Sequence, residues 1–379
     1  MRKLFYTALY RTMLHPRNIG EGGRHYSAFD DRVHEGGDAY TGFSLWDTYR
    51  AAHPLMTLVS PDKVDGMMQS LLNAYREGGW LPKYPNPGYT GVMVGSPAEI
   101  VLAEAVAKGF TGFDRKLAYE AVKHNATVPA ANDLAVDWDS GEKWTGHPEA
   151  RAGLTRYQTI GYVACDETCE SVSRTQDFGM DDFAAATLAE AVGERAAAAR
   201  FRDRMHSWTN LWHAGKKQML PRNVRGEWVP VGDAKSPYTE MSAEQAIWCV
   251  PHDVDLACRL LGGPAEMERR LDRFYARGFT MRWDGLPVPN NEPSHHVPYY
   301  YNVIGRPDKC ARTVRHILEN CYWDTPVYEE GNDDCGQMSA WYVLSALGFY
   351  PLNPPDCTYE IGSPIVDAAE IRFGPPLRS

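Results

Sequence analysis

The 379-residue sequence has no apolar run long enough to cross a bilayer, so no membrane insertion is expected. It has no excess of positive charge either. Its 39 Lys and Arg stand against 49 Asp and Glu, and a net charge of −10 argues against nucleic acid or an anionic lipid surface as partner. No C-x-x-C pair occurs among the eight cysteines, which are scattered from Cys165 to Cys357, so a thiolate zinc centre is not expected. A chain of this length does not need disulfide staples. Strand-like alternation is scarce, and only 357–373, with Cys357, Tyr359 and Ile361, reads as extended. The opening Met1-Arg-Lys-Leu-Phe-Tyr lacks a proper signal peptide.

What the chain does have is helical periodicity and aromatic side chains. Helices are predicted over roughly 2–15, 44–59, 62–77, 97–108, 115–125, 178–191, 193–213, 241–261, 264–277, 293–304, 307–320 and 336–347. Such a succession without strands between suggests an all-α closed toroid or a solenoid. No repeated motif supports the solenoid, and long aromatic-rich loops favour a barrel with a single pocket. Eleven Trp and 21 Tyr suit either sugar stacking or simply a large helical core.

The stretch Glu330-Gly331-Asn332-Asp333-Asp334-Cys335-Gly336-Gln337 leads into an apolar helix face at Met338, Trp341, Leu344 and Leu347. An Asp at a helix start normally caps it, but one cap needs one carboxylate. The second is then free to point into whatever cavity the helix end borders. Trp46, Asp47 and Arg50 lie close together at another helix start, an aromatic face beside an acceptor and a donor, although an Asp47–Arg50 pair over a core Trp fits as well. The loops 78–84, with Trp80, and 91–97 carry no chemistry by themselves, and 126–156, with Asp137, Trp138 and Asp139, reads as a loop. Asp181 and Asp182 repeat the pairing at a helix start, with capping as the default. Glu240 precedes an apolar helix beside bulky aromatics, where desolvation could hold its proton near neutral pH, or where it merely caps. Asn290-Asn291-Glu292-Pro293-Ser294-His295-His296 groups amide, carboxylate and imidazole donors. The oxygens suit Ca²⁺, and the histidines lack the H-E-x-x-H that zinc would want.

Together these segments resemble the glycoside hydrolase family 92 α-mannosidases. The resemblance rests on Phe5-Tyr6-Thr7-Ala8-Leu9-Tyr10, Leu45-Trp46-Asp47-Thr48-Tyr49-Arg50, Tyr238 with Glu240, Val250-Pro251-His252-Asp253, Asn291 to His296 and Gly331 to Trp341, in the family's order and over almost the whole chain. It implies an (α/α)6 barrel over 1–350, an extended segment over 351–379, and a calcium-dependent, inverting exo-α-mannosidase acting on mannose-containing glycans. By the same resemblance Glu240 matches the general acid and Asp334 the general base, with Asp333 its neighbour or rival. Glu292 and Asn291 match the Ca²⁺ subsite, while Trp46, Asp47 and Arg50 match the residues that hold the terminal mannose. Trp80, His295 and His296 complete the expected substrate contacts. Glu240 is expected to be raised in pKa by burial and Asp334 to stay ionised. The family suggests a secreted or periplasmic enzyme, and also an N-terminal β-sandwich domain, for which this chain leaves no room before its first barrel helix. Met241, Ser242 and Glu244 depart from the family's usual residues after the acid, and the loop 277–290, where the family's linkage-selecting residues tend to lie, is shorter than the family's, so the resemblance does not imply an α-1,2 preference. A barrel that binds mannose without cleaving it, or another (α/α)6 sugar enzyme, are the alternatives.

Overall fold

The computed structural model describes residues 2–134, 147, 149–276, 291–325 and 331–372. The expected positions Asp137, Trp138, Asp139, Asn290 and Glu330, and the loop 277–290, lie outside the described residues. The helices are α1 (Arg2–Thr12), α2 (Leu45–Thr48), α3 (Ala52–Val59), α4 (Pro61–Gly78), α5 (Ala98–Ala107), α6 (Arg115–Thr127) and α7 (Leu154–Ile160). They continue with α8 (Ser171–Ala191), α9 (Arg195–Arg204), α10 (Val254–Leu261), α11 (Pro264–Ala276), α12 (Tyr300–Val303), α13 (Pro307–Asn320) and α14 (Gln337–Leu347). The strands described pair only as two-stranded antiparallel ribbons.

Burial sorts the helices into two layers. In α5, α8 and α14 buried residues surround the whole helix, as they do when an element is enclosed by others. By contrast α4 buries a stripe at Val64, Met67, Met68, Leu71 and Leu72, and α13 one at Cys310, Val314, Ile317 and Leu318, the spacing of a helix with one face in water. Both begin with Pro at the first helical position, where its missing N–H costs nothing. Inner and outer elements then alternate along the chain: α3 with α4, α5 with α6, α8 with α9, 246–261 with α11, 292–303 with α13, and α14 with α1. The first helix packs on the last, and α14 also packs on α3, which closes the ring. This alternation fits the expected (α/α)6 barrel.

Several element boundaries differ from expectation for local reasons. The helix predicted over 178–191 begins at Ser171, which puts Asp181 and Asp182 in mid-helix, where they cannot cap. Both are instead consumed by buried partners: Asp181 accepts from the Ser96 N–H at 2.7 Å, and Asp182 pairs with Arg151 and Arg204. The helices predicted over 241–261 and 293–304 break into short 3₁₀ turns, at 246–248 and 251–253 and at 292–294 and 297–299. Three of these four turns carry a proline, Pro251, Pro293 or Pro298, which has no N–H for the continuing ladder. Among the described residues of 357–373 only Glu360–Ile361 forms a strand, against Phe349–Tyr350. That segment folds back on the barrel, where the Tyr359 hydroxyl meets Lys108 Nζ at 2.8 Å and Arg315 donates to the Pro364 carbonyl. None of the eight cysteines, all among the described residues, is in a disulfide.

Candidate active site

Three carboxylates brought from distant parts of the sequence converge where the inner elements begin. Asp47 lies in α2, Glu292 in the 3₁₀ turn before α12, and Asp334 in the loop entering α14. One oxygen of each lies within 4.8 Å of the other two. Asp47 and Glu292 are fully buried, Asp334 half-buried.

Local structure explains the aim of each side chain. Asp334, Cys335 and Gly336 are three consecutive residues in left-handed backbone, at φ 43°, 55° and 92°. That turn reverses the chain into α14 and points Asp334 away from the helix. Asp333 takes the capping role, its Oδ1 accepting from the Ser339 N–H at 3.0 Å and the Ser339 hydroxyl at 2.7 Å. Asp47 is held by the Ser44 hydroxyl. The Gln337 carboxamide ties the site together: its oxygen accepts from the Ala51 and Ala52 N–H groups at 3.0 and 3.1 Å, and its nitrogen meets His295 Nδ1 at 3.0 Å. The otherwise free donors at the start of α3 are thereby satisfied from α14.

The electrostatics of the trio are unfavourable as they stand. Burial, then the proximity of Asp47 and Asp334, drives the Glu292 carboxyl well above its usual range. Burial, then Asp334, does the same to Asp47. Asp334 is pushed up to about 6 by burial, with Glu240 and Asp333 adding to it, while a hydrogen bond to Glu292 works in the other direction. Two ionised carboxylates cannot hydrogen-bond each other, so this pair needs either a shared proton or a cation. Glu292 Oε1 is buried with no hydrogen-bond partner among the described residues, an acceptor left over there. An oxygen-rich, over-acidic pocket with an orphan lone pair is the donor set a hard divalent cation takes.

The remaining expected residues fall into different places. Glu240 lies on a loop with φ 51° and is exposed, not buried as expected. It nevertheless shares the cleft, for its charge reaches Asp47 and Asp334, and its carbonyl accepts from Asn291 Nδ2 at 3.3 Å. Trp46 and Arg50 are buried at 5% and 6% exposure, and the Arg50 guanidinium lies 5.0 Å from the Trp46 ring and 4.7 Å from that of Tyr49. The indole face therefore serves Arg50, and its Nε1–H donates to Asp177 at 3.3 Å. His295 and His296 stand behind Glu292, fully buried: the first meets Gln337 and Met338, the second the Trp248 carbonyl at 2.7 Å. Burial holds His296 down to about 3, hence neutral. Trp80 packs with His124 and His147, with centroids at 4.5 and 5.3 Å, in an aromatic group of its own.

Sequence reasoning assigned no role to Gln337, Asp177 or Tyr84. Gln337 stood inside a recognised motif, but nothing local reveals that its carboxamide spans to residue 51. Asp177, pushed up to about 6 by burial, faces Arg50 from α8, and Tyr84 bonds Cys335 beside Asp334. Both contacts join segments far apart in sequence.

Residues 1–377 match the glycosyl hydrolase family 92 catalytic domain. The chain belongs to that family. A family 92 inverting mannosidase from Bacteroides thetaiotaomicron superposes with a TM-score of 0.84 at 31% identity, over 96% of this chain and 51% of that one. A family 92 α-mannosidase from the same organism, in complex with mannoimidazole, gives 0.83 at 32% identity over 96% and 48%. An uncharacterized secreted glycosidase of Arthroderma benhamiae is 26% identical, over 98% of this chain and 46% of its own length. This family 92 domain thus spans about half the length of the relatives it matches. No helix among its described residues is long and apolar enough to cross a membrane.

Proposed function

We propose that this domain is the catalytic barrel of a Ca²⁺-dependent, inverting exo-α-mannosidase that removes terminal mannose from glycans. The observation that carries the reading is the convergence of Asp47, Glu292 and Asp334 beside the loop that bears Glu240. An inverting hydrolase needs an acid for the leaving oxygen and a base on the opposite face of the sugar, about 6.5–9.5 Å apart to admit a water. Glu240, on its exposed loop, is the acid and reaches the leaving group from the open side. Asp334, largely ionised at neutral pH, is the base that takes the proton of the attacking water. Asp47 and Glu292, with Asn291 alongside, would hold the cation, and the unpartnered Glu292 Oε1 supports that assignment. Bound there, Ca²⁺ supplies a fixed positive charge for sugar hydroxyls and for carboxylates that otherwise repel. Arg50 and His295 act behind the site: one sets its charge balance, the other its packing.

Action outside the cytoplasm is part of the reading, in line with the relative described as secreted. So is a second domain docked on the barrel. Tyr6, Tyr10 and Leu14 present an exposed apolar stripe on and just after α1, 57%, 66% and 44% accessible, of the kind that marks a docking face.

The deciding assay gives this protein mannobioses of each linkage, with EDTA and then with Ca²⁺ restored, and follows the first-formed anomer by NMR. Metal-dependent release of β-mannose supports the proposal; α-mannose, or indifference to chelation, overturns inversion or the metal. The exposure of Glu240 favours a second reading, a barrel that binds mannose without cleaving it. Binding with no turnover on any linkage would select that one.

A further inference from the structure

We propose a second metal site, sharing no residue with the carboxylate cleft, in which Asp30, His34 and Glu77, with His25 beside them, bind Zn²⁺. The antiparallel hairpin of Arg24–Ser27 and Arg32–Glu35 pairs His25 directly with His34. Residues opposite one another in such a ribbon share a face. Accordingly the two rings stack, their centroids 5.7 Å apart and their planes inclined by 23°. Asp30, in the connecting turn, folds back until its two oxygens stand 3.1 and 3.0 Å from His34 Nε2. Glu77 arrives from the last turn of α4, with Oε1 at 3.9 Å from the same nitrogen and Oε2 accepting from the Ser27 hydroxyl at 2.6 Å. One ligating atom each from Asp30, His34 and Glu77 lies within 4.8 Å of the other two.

An ion pair alone accounts poorly for this geometry. Two carboxylates converge on one ring nitrogen that has a single proton to give, while His25 Nδ1 is buried without a partner among the described residues. Acceptors exceed donors, and a cation corrects the balance. The four groups line a pocket of about 610 Å³ together with Arg32, Asn73 and Arg76, so an ion has access. Of the two arginines there, Arg76 is engaged by Asp114 at 3.4 Å, and Arg32 faces Asp30, to which its backbone N–H donates. Imidazole nitrogen with carboxylate oxygen is a zinc donor set, whereas Ca²⁺ has no use for the imidazole. The ion would clip the hairpin to the end of α4.

The test uses the EDTA-treated chain, titrated with ZnCl2 by calorimetry and thermal shift, and with Co²⁺ by visible absorption. Expected are one zinc-dependent rise in Tm and a cobalt spectrum without a thiolate charge-transfer band. In His34→Ala/Asp30→Asn, zinc affinity should fall at least about tenfold with circular dichroism unchanged, and Glu292→Gln should leave it intact. If the double variant does not fold, His25→Ala and Glu77→Gln carry the same expectation. Equal zinc affinity in wild type and variants, or a thiolate band that places the ion on cysteine, overturns the site.

Discussion

Glu240 and Asp334 both occupy left-handed backbone, at φ 51° and 43°, a conformation that costs a residue with a Cβ on the order of 1–3 kcal/mol. Strain at two carboxylates facing one cleft is the pattern of a site held in place for chemistry. If Glu240 is the acid, Glu240→Gln lowers turnover of unactivated mannosides about 100-fold or more, yet spares substrates with a leaving group that needs no proton. Kinetics on a matched pair of substrates checks this, and equal losses would remove Glu240 from the role. Asp334 carries a pH consequence. Its folded pKa of about 6 lies above the ordinary 3.8, so the native state binds the extra proton and stability falls as pH rises from about 4 to 6. In cation-free protein at pH 7, Asp334→Asn should therefore raise stability by about 1–3 kcal/mol, seen as a Tm increase of a few degrees, while abolishing hydrolysis. Of this residue-level picture, the sequence disclosed that one Asp of the 333–334 pair would be left over from capping. The burial of Trp46, Arg50, His295 and His296 was not legible, because exposure depends on which elements cover a residue and not on its neighbours in the chain.

Among the elements, the junction of α14 with α1 connects the site to the closure of the ring. Gly336 has φ 92°, and a Cβ built there would come within 3.0 Å of Thr12 Cα and 3.4 Å of the Arg11 carbonyl. Gly336→Ala should thus cost about 2 kcal/mol or more and lower Tm by several degrees, and it should also reduce activity by shifting Asp334. Thermal unfolding and kinetics on the same sample separate the two effects. A second dependence lies between α5 and α8, where the fully buried Arg151 donates to Glu99 at 2.7 Å and Asp182 at 2.8 Å. Arg151→Met leaves both acids without that cation, and the expected loss is about 3–5 kcal/mol in chemical denaturation, without a change in substrate preference. Helix periodicity located most elements but not their ends. Pro251, Pro293 and Pro298 cut two predicted helices into 3₁₀ turns, and it is one of these turns that carries Glu292.

The whole molecule is an alternation of enclosed and water-facing helices that returns the last helix to the first. Binding of Ca²⁺ to this folded arrangement, and not to the unfolded chain, should raise Tm with ion concentration, and Glu292→Gln should flatten that response in a thermal-shift titration. Helix content, the scarcity of strands, the family and the residues able to do acid–base or cation chemistry were all present in the linear order, because periodicity and residue type are local properties. Only the closed ring decided which of those residues meet. Asp47 stands more than two hundred positions before Glu292, and Glu292 about forty before Asp334, and their distances, desolvation and mutual repulsion exist only once α2, the loop entering α14 and the turn before α12 share one end of the barrel.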